Sequence, residues 1–148
     1  MNTKLSWDEI ILYTNNLVQQ ILASNFFPDT ILAINRGGLI PAGLISYKLN
    51  IRHVHTIGIS SYDKQNQKGQ LDVLHIPEIK EKSKNLLIVD DICDSGSTMK
   101  FLTQSEYLTN YCYNFKTAVI INKSSNNQMD FVGQNVFRPT WIDFPWEK

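Results

Sequence analysis

The stretch LLIVDDICDSGST, residues 86–98, passes from hydrocarbon side chains into three carboxylates and then into small hydroxylic residues. Asp90, Asp91 and Asp94 lie close enough for each to raise the cost of ionising the others, so something must offset that repulsion. A bound cation would do so, and so would a ligand rich in hydroxyls. The run NLLIVDD, residues 85–91, is too apolar to face water and predicts a buried strand. SGSTMKFLTQSEYL, residues 95–108, begins with helix-starting residues and predicts a helix after a short loop. Free amides at that helix start, with the hydroxyls of Ser95, Ser97 and Thr98 beside them, suit a phosphate, and Gly96 permits close approach or a positive φ. Asp90 and Asp91 can accept hydrogen bonds from vicinal ribose hydroxyls or hold Mg²⁺, which favours carboxylate oxygen and water. A sugar phosphate with a metal satisfies both halves. The plain alternative is a surface turn with a helix cap, although a cap requires one acid and not three.

The segments around this stretch repeat its alternation of strand and helix. Ser6 and Glu9 form a capping-box signature before apolar residues at helical spacing, which predicts a helix over 7–24. Pro28-Asp29 breaks the chain, and TILAIN, residues 30–35, reads as a short buried strand running into Arg36-Gly37-Gly38. A second helix is expected over 39–49, with Pro41 tolerable in its first turn. HVHTIGIS, residues 53–60, is the next strand; the polar stretch from Tyr62 to Gln70 reads as a mobile hairpin flap before LDVLHI resumes strand-like alternation. FKTAVIIN, residues 115–122, supplies one more buried strand. Such alternation implies an α/β fold with a mostly parallel sheet, and sheets of that kind bind ligands at the carboxyl ends of their strands. Asn35 to Gly38, Asp90 to Thr98, and Asn122-Lys123 all fall at such ends.

Composition narrows the function. A chain of 148 residues with 43% hydrophobic residues fits one domain with a single core. Fourteen basic residues balance fourteen acidic ones, so no wide electrostatic footprint for nucleic acid or an anionic membrane is expected. MNTKLSWDEI lacks an apolar signal core, and no apolar run reaches the roughly 20 residues that span a bilayer, so a cytoplasmic protein without a transmembrane segment is expected, with peripheral association at the inner membrane as an alternative. Cys93 and Cys112 lack CxxC spacing and read as reduced thiols.

Competing motifs fail on spacing or context. Gly38 to Gly43 has the GxxxxG of a Walker loop, but Leu44-Ile45 replaces its Lys-Ser/Thr. No GxGxxG is present. DDICD matches the DDxxD of isoprenoid diphosphate synthases, yet those acids belong on a helix and here a strand precedes them. LLIVDDICDSGST does resemble the phosphoribosyl diphosphate (PRPP) signature of the type I phosphoribosyltransferases, two acids before a short phosphate loop. ILAINRGGLIPAGLISYKLNIRHVHTIGISSYDKQNQKGQLDVL and the late TWIDFPW are similar, segment by segment, to the bacterial xanthine-guanine branch of that family, over most of residues 7–147.

That resemblance implies a single phosphoribosyltransferase domain over 1–148, with a twisted, mostly parallel sheet flanked by helices and a flexible hairpin flap. It implies transfer of a 5-phosphoribosyl group from PRPP to N9 of a 6-oxopurine with Mg²⁺, by a homodimer or homotetramer. A non-catalytic PRPP-binding regulator of the same fold is the other reading. Arg36 and Gly37 would bind the diphosphate, in a loop that in this family often carries a non-proline cis peptide. Lys68, in the flap, would reach the same group, and Arg36, Lys68 and Asp94 would carry the catalysis. The PRPP signature runs through Asp90, Asp91, Ile92, Cys93, Asp94, Ser95, Gly96, Ser97 and Thr98, with Asp91 on the metal, Asp90 and Asp91 on the ribose, and residues 95–98 on the 5′-phosphate. Asp94 would also lie near purine N7, Lys123 would point at O6, and Trp141 and Ile142 would cover or edge the base. Two departures stand out: Ser97 replaces a customary glycine in the phosphate loop, and Lys68 stands in place of an arginine.

Other residues read more plainly. His53 and His55 share one strand face but lack a third ligand, so solvent-facing or structural histidines are expected. Acidic neighbours and the adjacent apolar run disfavour a Cys93 thiolate. Composition alone leaves Trp141 open between core and base stacking, and Lys123, followed by SSNNQ, open to being an ordinary loop lysine.

Overall fold

Two central strands, buried on both faces, organise the molecule. The computed structural model describes residues 1–62 and 70–148. Its elements are β1 (Asn2–Lys4), α1 (Trp7–Ala23), β2 (Thr30–Asn35), α2 (Leu39–Leu49), β3 (His53–Tyr62), β4 (Gln70–His75) and β5 (Ser83–Cys93). These are followed by α3 (Ser97–Thr103), α4 (Glu106–Tyr111), β6 (Cys112–Asn122), β7 (Phe131–Asn135), β8 (Trp141–Asp143) and a 3₁₀ turn at Pro145–Glu147. Six strands form one sheet in the order β4-β3-β2-β5-β6-β7, parallel except for the antiparallel edge strand β4. The expected α/β architecture is therefore present.

Side-chain parity divides the core. Ile31, Ala33, Leu87, Val89, Ala118 and Ile120 join Ile10, Leu17, Ile21 and Ile45 of α1 and α2 on one face. Leu32, Ile34, Leu86, Ile88 and Val119 point the other way, to Met99, Leu102 and Leu108 of α3 and α4. With helices on both faces the strands have no solvent side, which is why they read as unbroken apolar runs. Burying each Leu or Ile contributes about 1.5–3 kcal/mol relative to exposure.

Several boundaries differ from those read in the sequence. β5 and β6 are longer, beginning at Ser83 and Cys112, and β5 runs two residues beyond Asp91 to Cys93. The helix expected over 95–108 starts at Ser97 and breaks at Gln104–Ser105, where Ser105 in an extended conformation starts α4. β1, β7 and β8 escaped sequence reading because three to five residues, mixed in polarity, present no period. β3 and β4 form the antiparallel stalk of the expected flap; its tip, including Lys68, lies outside the described residues. Among the described residues no helix is long and apolar enough to cross a membrane.

At the end of the sheet remote from Asp90, Asp29 ties β2 to β5. Its carboxylate accepts from Ser83 Oγ at 2.6 Å, Thr30 Oγ1 at 2.7 Å, and the amides of Lys84 and Asn85 at 3.0 Å each. Partial burial pushes this carboxyl up, but the four donors together outweigh it and hold it below its usual range. Because the folded-state pKa is lowered, the stabilisation is complete above about pH 4 and is lost as the pH falls through the folded value. Asp29→Ala is expected to cost about 1–2 kcal/mol at neutral pH, since water competes at this exposed site, and to flatten the acid limb of stability measured by urea unfolding against pH. An unchanged acid limb would contradict this reading.

Candidate active site

The alternation that builds the two cores also determines where the acids point. Ile88 lies on the α3 face and Val89 on the α2 face, so Asp90 continues toward α3 and Asp91 toward α2. The two carboxylates therefore straddle the end of β5. Asp90 lines a small cavity of about 190 Å³ with Ile92, Cys93 and the turn from Asp94 to Met99. Asp91 lines a larger one, about 740 Å³, with Arg36, Gly37, Trp141, Trp146 and Glu147.

Burial pushes the Asp90 carboxyl well above its ordinary range, and the adjacent Asp91 charge pushes it further. Asp91 is also raised by burial, although hydrogen bonds temper the effect. Asp91 N–H donates to Asp90 Oδ1 at 2.8 Å. Among the described residues the only ion pair within 4.0 Å is Lys116–Asp130, so no cation there neutralises this pair. Each carboxylate offers its own cavity oxygen donors of the kind a hard cation favours. Cys93 is buried and free, and burial, with the charges of Asp90 and Asp94, pushes its thiol up to about 11, as its expected inertness requires.

The turn after β5 has the geometry a phosphate loop needs. Gly96 takes φ +84°, a left-handed conformation that L side chains rarely adopt, and immediately precedes α3. Ser97 accommodates its side chain without a positive φ; its Oγ lies 2.9 Å from Ser95 Oγ, and its amide donates to Ser95 Oγ at 3.3 Å. Asp94 and Thr98 line the same small cavity.

Across β5, the loop after β2 brings Arg36 to the larger cavity, and the Asn35–Arg36 peptide is cis. Arg36 is exposed and makes no ion pair among the described residues. A Cβ on Gly37 would overlap the Asp91 carboxylate, and one on Gly38 would strike the Val89 carbonyl. Glycine is thus required where the two loops meet. His75, on β4, reaches past Gly58 to place Nε2 3.3 Å from Asn35 Nδ2 and 3.2 Å from Thr56 Oγ1, linking the flap stalk to this loop.

The expected base-side residues divide. Trp141 is 67% exposed and lines the larger cavity. The Ile142 side chain belongs to the α1–α2 core, because strand alternation turns it away from Trp141, which leaves its main chain to edge a ligand. Lys123 is more than a loop lysine. Its ammonium donates to the Arg138 carbonyl at 2.8 Å and to the Thr140 carbonyl, which ties it to the Trp141 segment and leaves one donor uncommitted. β1 pairs in parallel with β8, and the Met1 carbonyl accepts from Trp141 N–H at 3.1 Å, so the N-terminus holds this segment in place. Sequence reading also missed Trp146, stacked on Phe144 at 4.8 Å, and Glu147, whose carboxylate accepts from Phe144 N–H at 3.2 Å. No local pattern distinguishes these from an ordinary polar and aromatic tail.

Because Asp90 titrates above its unfolded value, the folded state binds the extra proton, and stability falls as the pH rises through the folded pKa. Asp90→Asn removes that charge. The variant is expected to melt at a higher temperature than the parent at neutral pH without ligand, with the advantage vanishing toward pH 4. A melting temperature at or below the parent's would contradict the assigned strain.

Comparison with known proteins agrees with this geometry. The family described as phosphoribosyl transferase domain matches residues 5–147. The xanthine-guanine phosphoribosyltransferase of Idiomarina loihiensis is 36% identical over 97% of this chain and 85% of its own length. That of Desulfotalea psychrophila is 33% identical over 97% of this chain and 84% of its own. Among solved structures, the xanthine-guanine-hypoxanthine phosphoribosyltransferase of Helicobacter pylori superposes with a TM-score of 0.83 at 29% identity, covering 99% of this chain and 94% of that one. With a parallel sheet ending in paired acids, a hydroxylic turn and an Arg-Gly-Gly loop, this chain belongs to the phosphoribosyltransferase family.

Proposed function

We propose that the chain acts as one domain, in the cytoplasm, transferring the 5-phosphoribosyl group of PRPP to N9 of a 6-oxopurine, xanthine, guanine or hypoxanthine, with release of diphosphate. The supporting observation is the placement of two cavities on either side of the Asp90–Asp91 strand end. The small one takes the 5′-phosphate at residues 95–98, and the ribose hydroxyls lie over Asp90 and Asp91. The larger one takes the diphosphate at Arg36 and Gly37, with Trp141 against the base. The curated relatives, named for xanthine and guanine, favour this over a regulatory PRPP-binding protein.

Breaking the anomeric C–O bond develops positive charge on the ribose and negative charge on the diphosphate. Arg36 stabilises the leaving group by charge, and the bare Gly37 backbone permits close approach. Lys68, outside the described residues, is assigned the same role when the flap covers the site and excludes water. Asp94 holds or moves a proton at purine N7, making N9 the nucleophile, and the free donor of Lys123 meets O6. Mg²⁺, when bound, supplies charge neutralisation between PRPP and the protein. Asp91 would hold it in the larger cavity, which Glu147 also lines. Among the described residues no three metal-ligating side chains converge, so substrate oxygens and water would complete its shell. A homodimer or homotetramer would cover exposed apolar side chains such as Tyr47 and Phe27, and sedimentation as a monomer would exclude it.

Diphosphate release from PRPP and Mg²⁺ should appear with xanthine, guanine or hypoxanthine and not with adenine. Chelation of Mg²⁺ should abolish it, and Asp94→Asn should lower kcat by about 10²–10⁴ if proton transfer is rate-contributing. Tight PRPP binding without turnover of any of the four bases would establish the regulatory alternative instead.

A further inference from the structure

The loop SSNNQ that follows Lys123 contains a side chain that the reaction as described does not use. Asn127 Nδ2 lies 3.1 Å from the Cys93 carbonyl, 2.9 Å from the Asp94 carbonyl and 2.9 Å from Asn122 Oδ1. Three oxygens surround one nitrogen, which determines the orientation of the amide: turned over, its oxygen would face all three. Asn122, buried at the end of β6, donates in turn to Asn135 Oδ1 on β7 at 3.1 Å. A relay of amides therefore runs from β7 through β6 to the turn after β5.

The contact to Asp94 distinguishes this relay from ordinary sheet bonding. The β5–β6 ladder ends at the Cys93–Asn122 pair, so the Asp94 carbonyl lies beyond it, in the turn itself. Asn127 is its hydrogen-bond donor, and the Asp94 carboxylate makes no hydrogen bond among the described residues, so its aim depends on how its backbone is held. The same amide packs on the next glycine: a Cβ at Gly96 would sit 2.8 Å from Asn127 Oδ1. The Cys93 carbonyl also accepts from Lys123 N–H at 2.9 Å, so one short segment supports both the phosphate turn and the base-side lysine.

We propose that Asn127 is a positioning residue: it fixes the Asp94 backbone and the left-handed Gly96 turn against β6, and thereby sets the grip on the 5′-phosphate of PRPP. This rests on the transferase reading of the site. Its chemistry is that of a donor. Aspartate has nearly the same shape but would turn a carboxylate on two carbonyls and the Asn122 oxygen, whereas alanine merely withdraws the donor, leaving the Cys93 carbonyl its bond from Lys123 N–H.

The test compares Asn127→Asp and Asn127→Ala with the parent in the full chain. Amide hydrogen exchange across residues 94–98 without ligand reads the strut, and KM for PRPP, KM for the base and kcat read its use. Expected are faster exchange in that turn for both variants and a rise of about tenfold or more in KM for PRPP that exceeds the change in KM for the base. Aspartate should be at least as damaging as alanine. Unchanged exchange, or an Asp variant equal to the parent while the Ala variant fails, would overturn the proposal, the latter by showing a packing role. Faster exchange with an unaltered KM for PRPP would overturn its functional half. A parent chain that transfers to no base overturns the transferase reading, while the exchange result still decides the strut.

Discussion

The structure depends on an electrostatic conflict placed at the end of a central strand whose apolar run is buried on both faces. β5 is covered on both faces, and the residues that terminate its apolar run are consecutive aspartates. A strand must send neighbours to opposite sides, so the acids cannot share one small site; they open onto two cavities and still feel each other's charge. Burial raises both, which is a cost in the free protein and a driving force for whatever brings a compensating cation. The remaining features gather around that centre. Gly37 has no side chain because the Asp91 carboxylate occupies the space, and Gly96 bends left-handed so that the hydroxylic turn closes beside Asp90.

The opposite end of the same strand shows the complementary design. Asp29 is a carboxylate with four donors, held below its ordinary range, and it joins β2 to β5 at the rim remote from Asp90. One end of the sheet thus uses its acid for stability while the other leaves two acids without a neutralising cation among the described residues. Proteins commonly locate unfavourable charge at functional positions, and the contrast between Asp29 and Asp90 is a local instance.

Much of this was legible beforehand because it is local. Unbroken apolar runs followed by Asn-Arg-Gly-Gly or Asp-Asp give strands buried on both faces and polar termini on one rim, and the structure places Arg36, Asp91 and Trp141 around one cavity. What escaped reading depends on pairs distant in the chain. β1 has three residues without a pattern, yet it carries the Trp141 segment through a 141-to-1 contact. Ile142 and Trp141 differ only in parity, which short sequence cannot assign when both are apolar. Asn127 belongs to a stretch of small polar residues that resembles any loop until its partners at Asp94 and Asn122 are seen. The break between α3 and α4 follows from Ser105, a residue as compatible with a helix surface as with a new start.

The most direct measurement is calorimetric titration of PRPP into the protein with and without Mg²⁺ at pH 8 and again near pH 5. Strong binding that needs the metal and weakens in acid, as the raised carboxyls take up protons, is the predicted result. Binding of equal strength without Mg²⁺, or no heat with it, would contradict the placement of a phosphorylated sugar and its cation at the end of β5.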